Sequence, residues 1–130
     1  MRVFRTKAVS RFLKRERIDD ARLIEAVAAM ERGLVDADLG GGLVKQRVAR
    51  SGQGKRGGYR VLIAFRSQHQ AIFLFGFAKS ERDNIDDDQL ATLRDIATMW
   101  LAANETKLER AMSDGILIEV GNGTRSKIKT

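Results

Sequence analysis

Leu43–Arg50 reads LVKQRVAR, Tyr59–Arg66 reads YRVLIAFR and Ala71–Lys79 reads AIFLFGFAK. Three apolar-rich runs of strand length, two of them with a residue-by-residue alternation, predict a three-stranded antiparallel meander. In the first run, period two places Lys45 and Arg47 on one face and Val44, Gln46 and Val48 on the other. In the second, Arg60 and Arg66 share a phase with Leu62 and Ala64, while Val61, Ile63 and Phe65 form the expected core side. The third is apolar throughout, as a central strand should be, and alternation sets Ile72 and Leu74 against Phe73, Phe75 and Phe77 without saying which set faces inward.

Outward from the meander the period changes. Arg2–Thr6 is a short strand candidate, and Ala8, Phe12 and Leu13 give a short basic helix. Asp19 and Asp20 supply N-cap chemistry ahead of Leu23, Val27 and Met30, with Gly33 as the stop. Gly40–Gly42 then interrupt the helical pattern. Ser51–Gly58, with four glycines, reads as a flexible loop, and Ser67–Gln70 as a tight turn. Asp86, Asp87 and Asp88 precede an amphipathic helix through Leu90, Leu93, Ile96, Ala97, Trp100 and Leu101, its acids favourably placed at the positive end of the helix dipole. Lys107–Met112 reads as its continuation, and Ile116–Val120 as one more edge strand. The expected class is α+β: a small antiparallel sheet, in β-α-α-β-β-β-α order, flanked by helices. Residues 1–120 are expected to form a single domain and residues 121–130 a flexible basic tail.

Composition narrows the function. The chain has 130 residues, 43% of them apolar and 32% charged, with no cysteine and no proline. It fits one soluble globular domain, with neither a disulfide framework nor a thiolate metal site. No apolar run reaches the length of a signal or membrane segment, so a cytoplasmic location and no membrane partner are expected.

The charge is local. Between Lys45 and Lys79 lie eight cations (Lys45, Arg47, Arg50, Lys55, Arg56, Arg60, Arg66, Lys79) and no Asp or Glu. Taking these eight from the 24 basic side chains of the whole leaves 16 against 17 acidic ones, so this stretch holds all of the +7 excess. Ordinary solvated surfaces mix both signs. A 35-residue segment without a single acid is the footprint of a phosphate backbone, bound through counterion release.

Meander topology brings the end of the first strand, the start of the second and the end of the third together, so Arg50, Tyr59, Arg60 and Lys79 converge, with Lys55 and Arg56 on the loop above. His69 falls at the opposite end, about 25 Å away for strands of this length, and is a poor general base. At the start of a strand, Tyr59 is more at home in packing than as an acid. Trp100 and the Phe73–Phe77 run read as core.

Taken together, "RVARSGQGKRGGYR" at residues 47–60 followed by "FLFGFAKSERDNI" at residues 73–85 resembles the RelE/ParE toxin superfamily, specifically the HigB-like RelE branch of type II toxin–antitoxin systems. The order of the segments, more than any one motif, carries the resemblance, over roughly residues 1–104. It implies a toxin that inhibits translation as a ribosome-dependent mRNA endoribonuclease, and partnership with a cognate antitoxin, commonly a helix-turn-helix protein. The basic pair of RelE-like toxins matches Lys45 and Arg47, and their strand-opening arginine matches Arg60. With Lys79 these are the expected catalytic residues; Arg50, Lys55, Arg56, Tyr59 and Arg82 are the expected RNA contacts. The family's later arginine and tyrosine align with Ser80 and Asp86, so the proton transfers would fall to other groups such as Lys79, Arg82 or a lysine of the loop.

RNA carries its own nucleophile, the 2′-hydroxyl. A ribonuclease must remove its proton, stabilise the phosphorane and protonate the leaving 5′-oxygen, and preorganised cations suit the second task. No metal or other cofactor is expected, because the basic segment offers no carboxylate cluster for Mg²⁺. Two other readings fit the same residues: a gyrase poison of the ParE type on the same fold, and a nucleic-acid-binding module without activity.

Overall fold

Four side chains start the four helices in the same way. Thr6, Asp19, Asp86 and Asn104 each stand in extended backbone and accept a hydrogen bond from the backbone N–H three residues on, at Val9, Arg22, Gln89 and Lys107. Each satisfies a donor the helix cannot, for about 1 kcal/mol. The computed structural model describes residues 1–50, 54–80 and 85–121, with backbone alone at Arg50 and at residues 54–57. Within them the order is β1 (Arg2–Thr6), α1 (Lys7–Arg15), α2 (Asp20–Glu31), β2 (Ala37–Gly40), β3 (Leu43–Arg50), β4 (Gly54–Arg66), β5 (Gln70–Ala78), α3 (Asp87–Ala102), α4 (Glu105–Ser113) and β6 (Leu117–Glu119).

The sheet runs β2-β3-β4-β5-β1-β6. Its centre is the antiparallel meander β3-β4-β5, and the class is α+β. The outer strands extend this centre. β1 lies parallel to β5, a pairing that the two-helix crossover α1–α2 and the hairpins between them permit, and β6 adds antiparallel to β1.

Both faces of the sheet are buried. On one, α1 and α2 cover Val44, Val48, Tyr59, Val61, Ile63 and Phe73 with Phe12, Leu13, Leu23, Val27 and Met30. On the other, α3 and α4 cover Leu43, Leu62, Ala64 and Ile72 with Leu93, Ala97, Trp100, Leu101 and Leu108. Arg2 ties the C-terminal elements down: its guanidinium donates to Glu119 at 2.9 Å and to Glu105 at 2.7 Å, joining β1, β6 and α4. The bond to Glu119 is the main cause raising the Arg2 pKa above its ordinary value, against the lowering effect of burial.

Three expectations need correction. The glycine-rich segment Ser51–Gly58 is not a loop throughout, because Gly54–Gly58 belong to β4 and Gly54 pairs with Arg50. Glycines disfavour a strand when alone, but here Gly54 pairs with Arg50 across a register shift and Gly58 accepts the backbone N–H of Lys79. Lys107–Met112 does not continue α3. Ala103 is extended (ψ 138°) and Asn104 caps a separate helix, α4. A further strand, β2, precedes the Gly40–Gly42 break, too short and too rich in Asp and Gly to signal itself, and the glycines form its hairpin with β3. Gly42 has φ +85°, and a Cβ there would stand 2.3 Å from Leu101 Cδ1. Helix α3 holds this hairpin, Arg94 Nε donating to the Leu39 carbonyl at 2.8 Å and Thr98 Oγ1 to the Gly41 carbonyl at 3.2 Å. Of residues 121–130, expected to be a flexible tail, 122–130 lie outside the described residues.

Candidate functional site

Along the α3/α4 face of β3 and β4, the inward positions near the Gly42 hairpin are Leu43, Leu62 and Ala64, all buried under helices. Two residues further toward the other strand ends, the same phase carries Lys45, Arg47 and Arg60. On β3 and β4 the buried apolar stripe gives way there to cations that are exposed or partly exposed, while Phe77 beside them on β5 stays buried.

Register fixes how the cations meet. Arg47 stands directly opposite Arg60, and Arg60 opposite Phe77 on β5. Lys45 stands opposite Leu62, and Leu62 opposite Phe75. Lys79 donates its backbone N–H to Gly58 at 3.2 Å, which puts it two positions beyond Phe77 in the same phase. Lys45, Arg47, Arg60 and Lys79 therefore share one face, on a patch about 10 Å across and about 14 Å along the strands. Arg47 and Lys79 are exposed, Lys45 and Arg60 partly so.

Two arginines directly opposed across a strand pair repel each other, and a fold gains nothing from that arrangement by itself. Among the described residues no carboxylate oxygen lies within 4.0 Å of any of the four cations. Within that set Arg60 makes one long hydrogen bond, 3.4 Å to the carbonyl of Tyr59. A bound anion would relieve the repulsion.

A β-bulge adds an aromatic edge to the patch. Between Leu62 and Ile63 the β4 register steps from Phe75 to Phe73, so Leu74 is one residue in excess. Strict alternation would put Phe75 with Phe73 on the α1/α2 face; the bulge turns it onto the face of Arg60, against Phe77 at 6.3 Å between ring centroids. An all-apolar strand carries no phase signal, which is why its sequence does not reveal the turn. Gly76, next to the bulge, faces the other way under Phe12, where a Cβ would come within 2.4 Å of the ring.

The remaining expected contacts divide. Tyr59 lies on the face opposite the patch: it is 2% exposed on the α1/α2 side, its hydroxyl donating to Glu16 Oε1 at 2.9 Å and its ring meeting Phe12 edge-on. Because Arg60 faces the patch, period two turns its neighbour inward. Arg50 and the pair Lys55 and Arg56 lie on β3 and β4 beyond the patch, their side chains outside the described set, and Arg82 is outside the described residues altogether. Arg66 and His69 lie at the far end, by the β4–β5 turn. Asp86, where the resemblance would set a tyrosine, is the N-cap of α3, and Ser80 is exposed in the turn after β5.

A sheet of this order with a cationic patch on one face invites comparison with known families. The family model described as the RelE toxin of the RelE/RelB toxin–antitoxin system matches residues 1–120, and so takes in every described strand and helix and all four patch cations. With the match running through the whole sheet and across the patch, the chain belongs to the RelE toxin family.

Proposed function

We propose that this protein inhibits translation by cleaving mRNA on the ribosome as a metal-independent endoribonuclease of the HigB-like branch. One observation carries the reading: Arg47 opposite Arg60, flanked in phase by Lys45 and Lys79, all four exposed or partly exposed on one face. Membership of a toxin–antitoxin family implies an antitoxin partner, and we take it to be of helix-turn-helix type. No helix among the described residues is long and apolar enough to cross a membrane, which accords with action on cytoplasmic ribosomes.

The chemistry follows from the patch. The scissile phosphodiester lies over Arg47 and Arg60, whose guanidinium forks match its non-bridging oxygens. Attack by the 2′-hydroxyl builds negative charge on those oxygens, and cations already in place stabilise it without reorganising. Lys45 and Lys79, at the two ends of the patch, stand nearest the attacking and leaving oxygens and are the groups to shuttle the protons. Arg50, Lys55, Arg56 and Arg82 extend the backbone contacts along the strand ends.

Induced expression with mapping of cellular mRNA 5′ ends tests the proposal. New ends inside reading frames in phase with codons are expected. Intact mRNA together with trapped gyrase-cleaved DNA would assign the chain to the gyrase poisons instead. Intact mRNA without growth arrest would leave a binding module.

A further inference from the structure

Cations hold a phosphate, but they do not hold a nucleotide in register. We propose that Phe75, turned onto the cationic face by the Leu74 bulge, is the platform on which a nucleobase beside the gripped phosphate stacks, making it a positioning and selectivity determinant of this site. The inference rests on the reading of the patch as an RNA site.

The placement is specific. Lys45, Leu62 and Phe75 form one cross-strand row and Arg47, Arg60 and Phe77 the next, so cations line the β3 and β4 side of the face and aromatic rings the β5 side. A single strand laid along the cations presents its bases to one side, and on the β5 side they meet a ring. Phe77 is 4% exposed and serves as backing, tilted 45° to Phe75. Phe75 is only partly buried. Without the bulge its ring would join the α1/α2 core; the fold gives up a ladder position to bring a partly buried aromatic ring beside four cations, and bulges that re-aim a side chain concentrate next to functional sites. Stacking on a ring is tolerant of base identity, and an aromatic beside a basic groove is the general means of holding single strands. Adenine and guanine, with the larger ring faces, gain most.

The test is equilibrium binding of two probes: a 2′-O-methyl oligoribonucleotide, which cannot be cleaved, and the same oligomer with one central abasic residue. Wild-type protein should prefer the base-bearing probe by about tenfold or more. Phe75→Leu should lose that preference while keeping the salt dependence that the cations set. Phe75→Trp should retain the preference, and its indole emission should be quenched by the base-bearing probe and not by the abasic one. Should Phe75→Leu fail to fold, the wild-type preference and the Phe75→Trp quench still decide. Equal affinity of wild type for the two probes, no binding of either, or unchanged preference in a folded Phe75→Leu overturns the proposal. The two readings fail separately, because loss of stacking leaves cleavage of ribosomal mRNA by wild type intact, whereas a non-nuclease would keep the probe preference and leave mRNA uncut.

Discussion

The two faces of β4 obey different rules at the same residues. On the α1/α2 side, Tyr59, Val61 and Ile63 are all buried, and the apolar stripe continues to the end of the meander. On the α3/α4 side, Ala64 and Leu62 are buried but the next position is Arg60, and the stripe gives way to charge. The difference separates support from function. One face is packed to its end so that the other can hold like charges at fixed spacing without the strand ends fraying.

Removing a cation breaks the comparison on the functional side alone. Arg60→Ala should lower mRNA cleavage by about 100- to 1000-fold, the cost typical of losing one preorganised charge-stabilising donor, with no loss of thermal stability. A melting temperature at or slightly above that of wild type is expected, since the substitution relieves the Arg47–Arg60 opposition. Kinetics and calorimetry on one preparation check both halves.

On the support side the largest effect should come from Gly42→Ala, which combines a left-handed backbone with a Cβ only 2.3 Å from Leu101. A loss of about 2 kcal/mol or more in denaturant unfolding is expected. Tyr59→Phe removes the 2.9 Å bond to Glu16 and keeps the ring, so it should cost about 1 kcal/mol and leave binding of RNA unchanged. A drop in RNA affinity with stability intact would return Tyr59 to the binding face. The smallest effect belongs to Glu105→Gln: its ion pair with Arg2 is 2.7 Å long, but the carboxylate side chain is 66% exposed, and less than about 1 kcal/mol should be lost in the same unfolding experiment.

What the sequence made legible follows the same division. β3 was readable to its last residue because Lys45 and Arg47 alternate with Val44 and Val48, and α2 and α3 because Asp19 and Asp86 stand ahead of periodic apolar residues. Phase put Lys45 and Arg47 on one face and hairpin connection brought Arg50, Tyr59, Arg60 and Lys79 to one edge, but that Lys45, Arg47, Arg60 and Lys79 share a face depends on the register. The rest depended on pairing between distant segments. Gly54 becomes strand because Arg50 lies beside it and Gly58 because Lys79 does, β2 exists because a glycine turn folds it back, and β1 joins β5 in parallel across two helices. Phe75 was hidden for a different reason: where both faces of a strand are apolar, a one-residue bulge changes the facing and leaves no trace in the pattern.

The central claim is that the cationic end of the α3/α4 face performs RNA cleavage. Purified wild-type and Arg60→Ala proteins, incubated with ribosomes programmed with a defined mRNA and read by primer extension, test it most directly. The account predicts cleavage by wild type that persists in the presence of a chelator, and a rate lower by about 100-fold or more for Arg60→Ala at a melting temperature no lower than that of wild type. Uncut mRNA with wild-type protein, or equal rates for the two proteins, would contradict it.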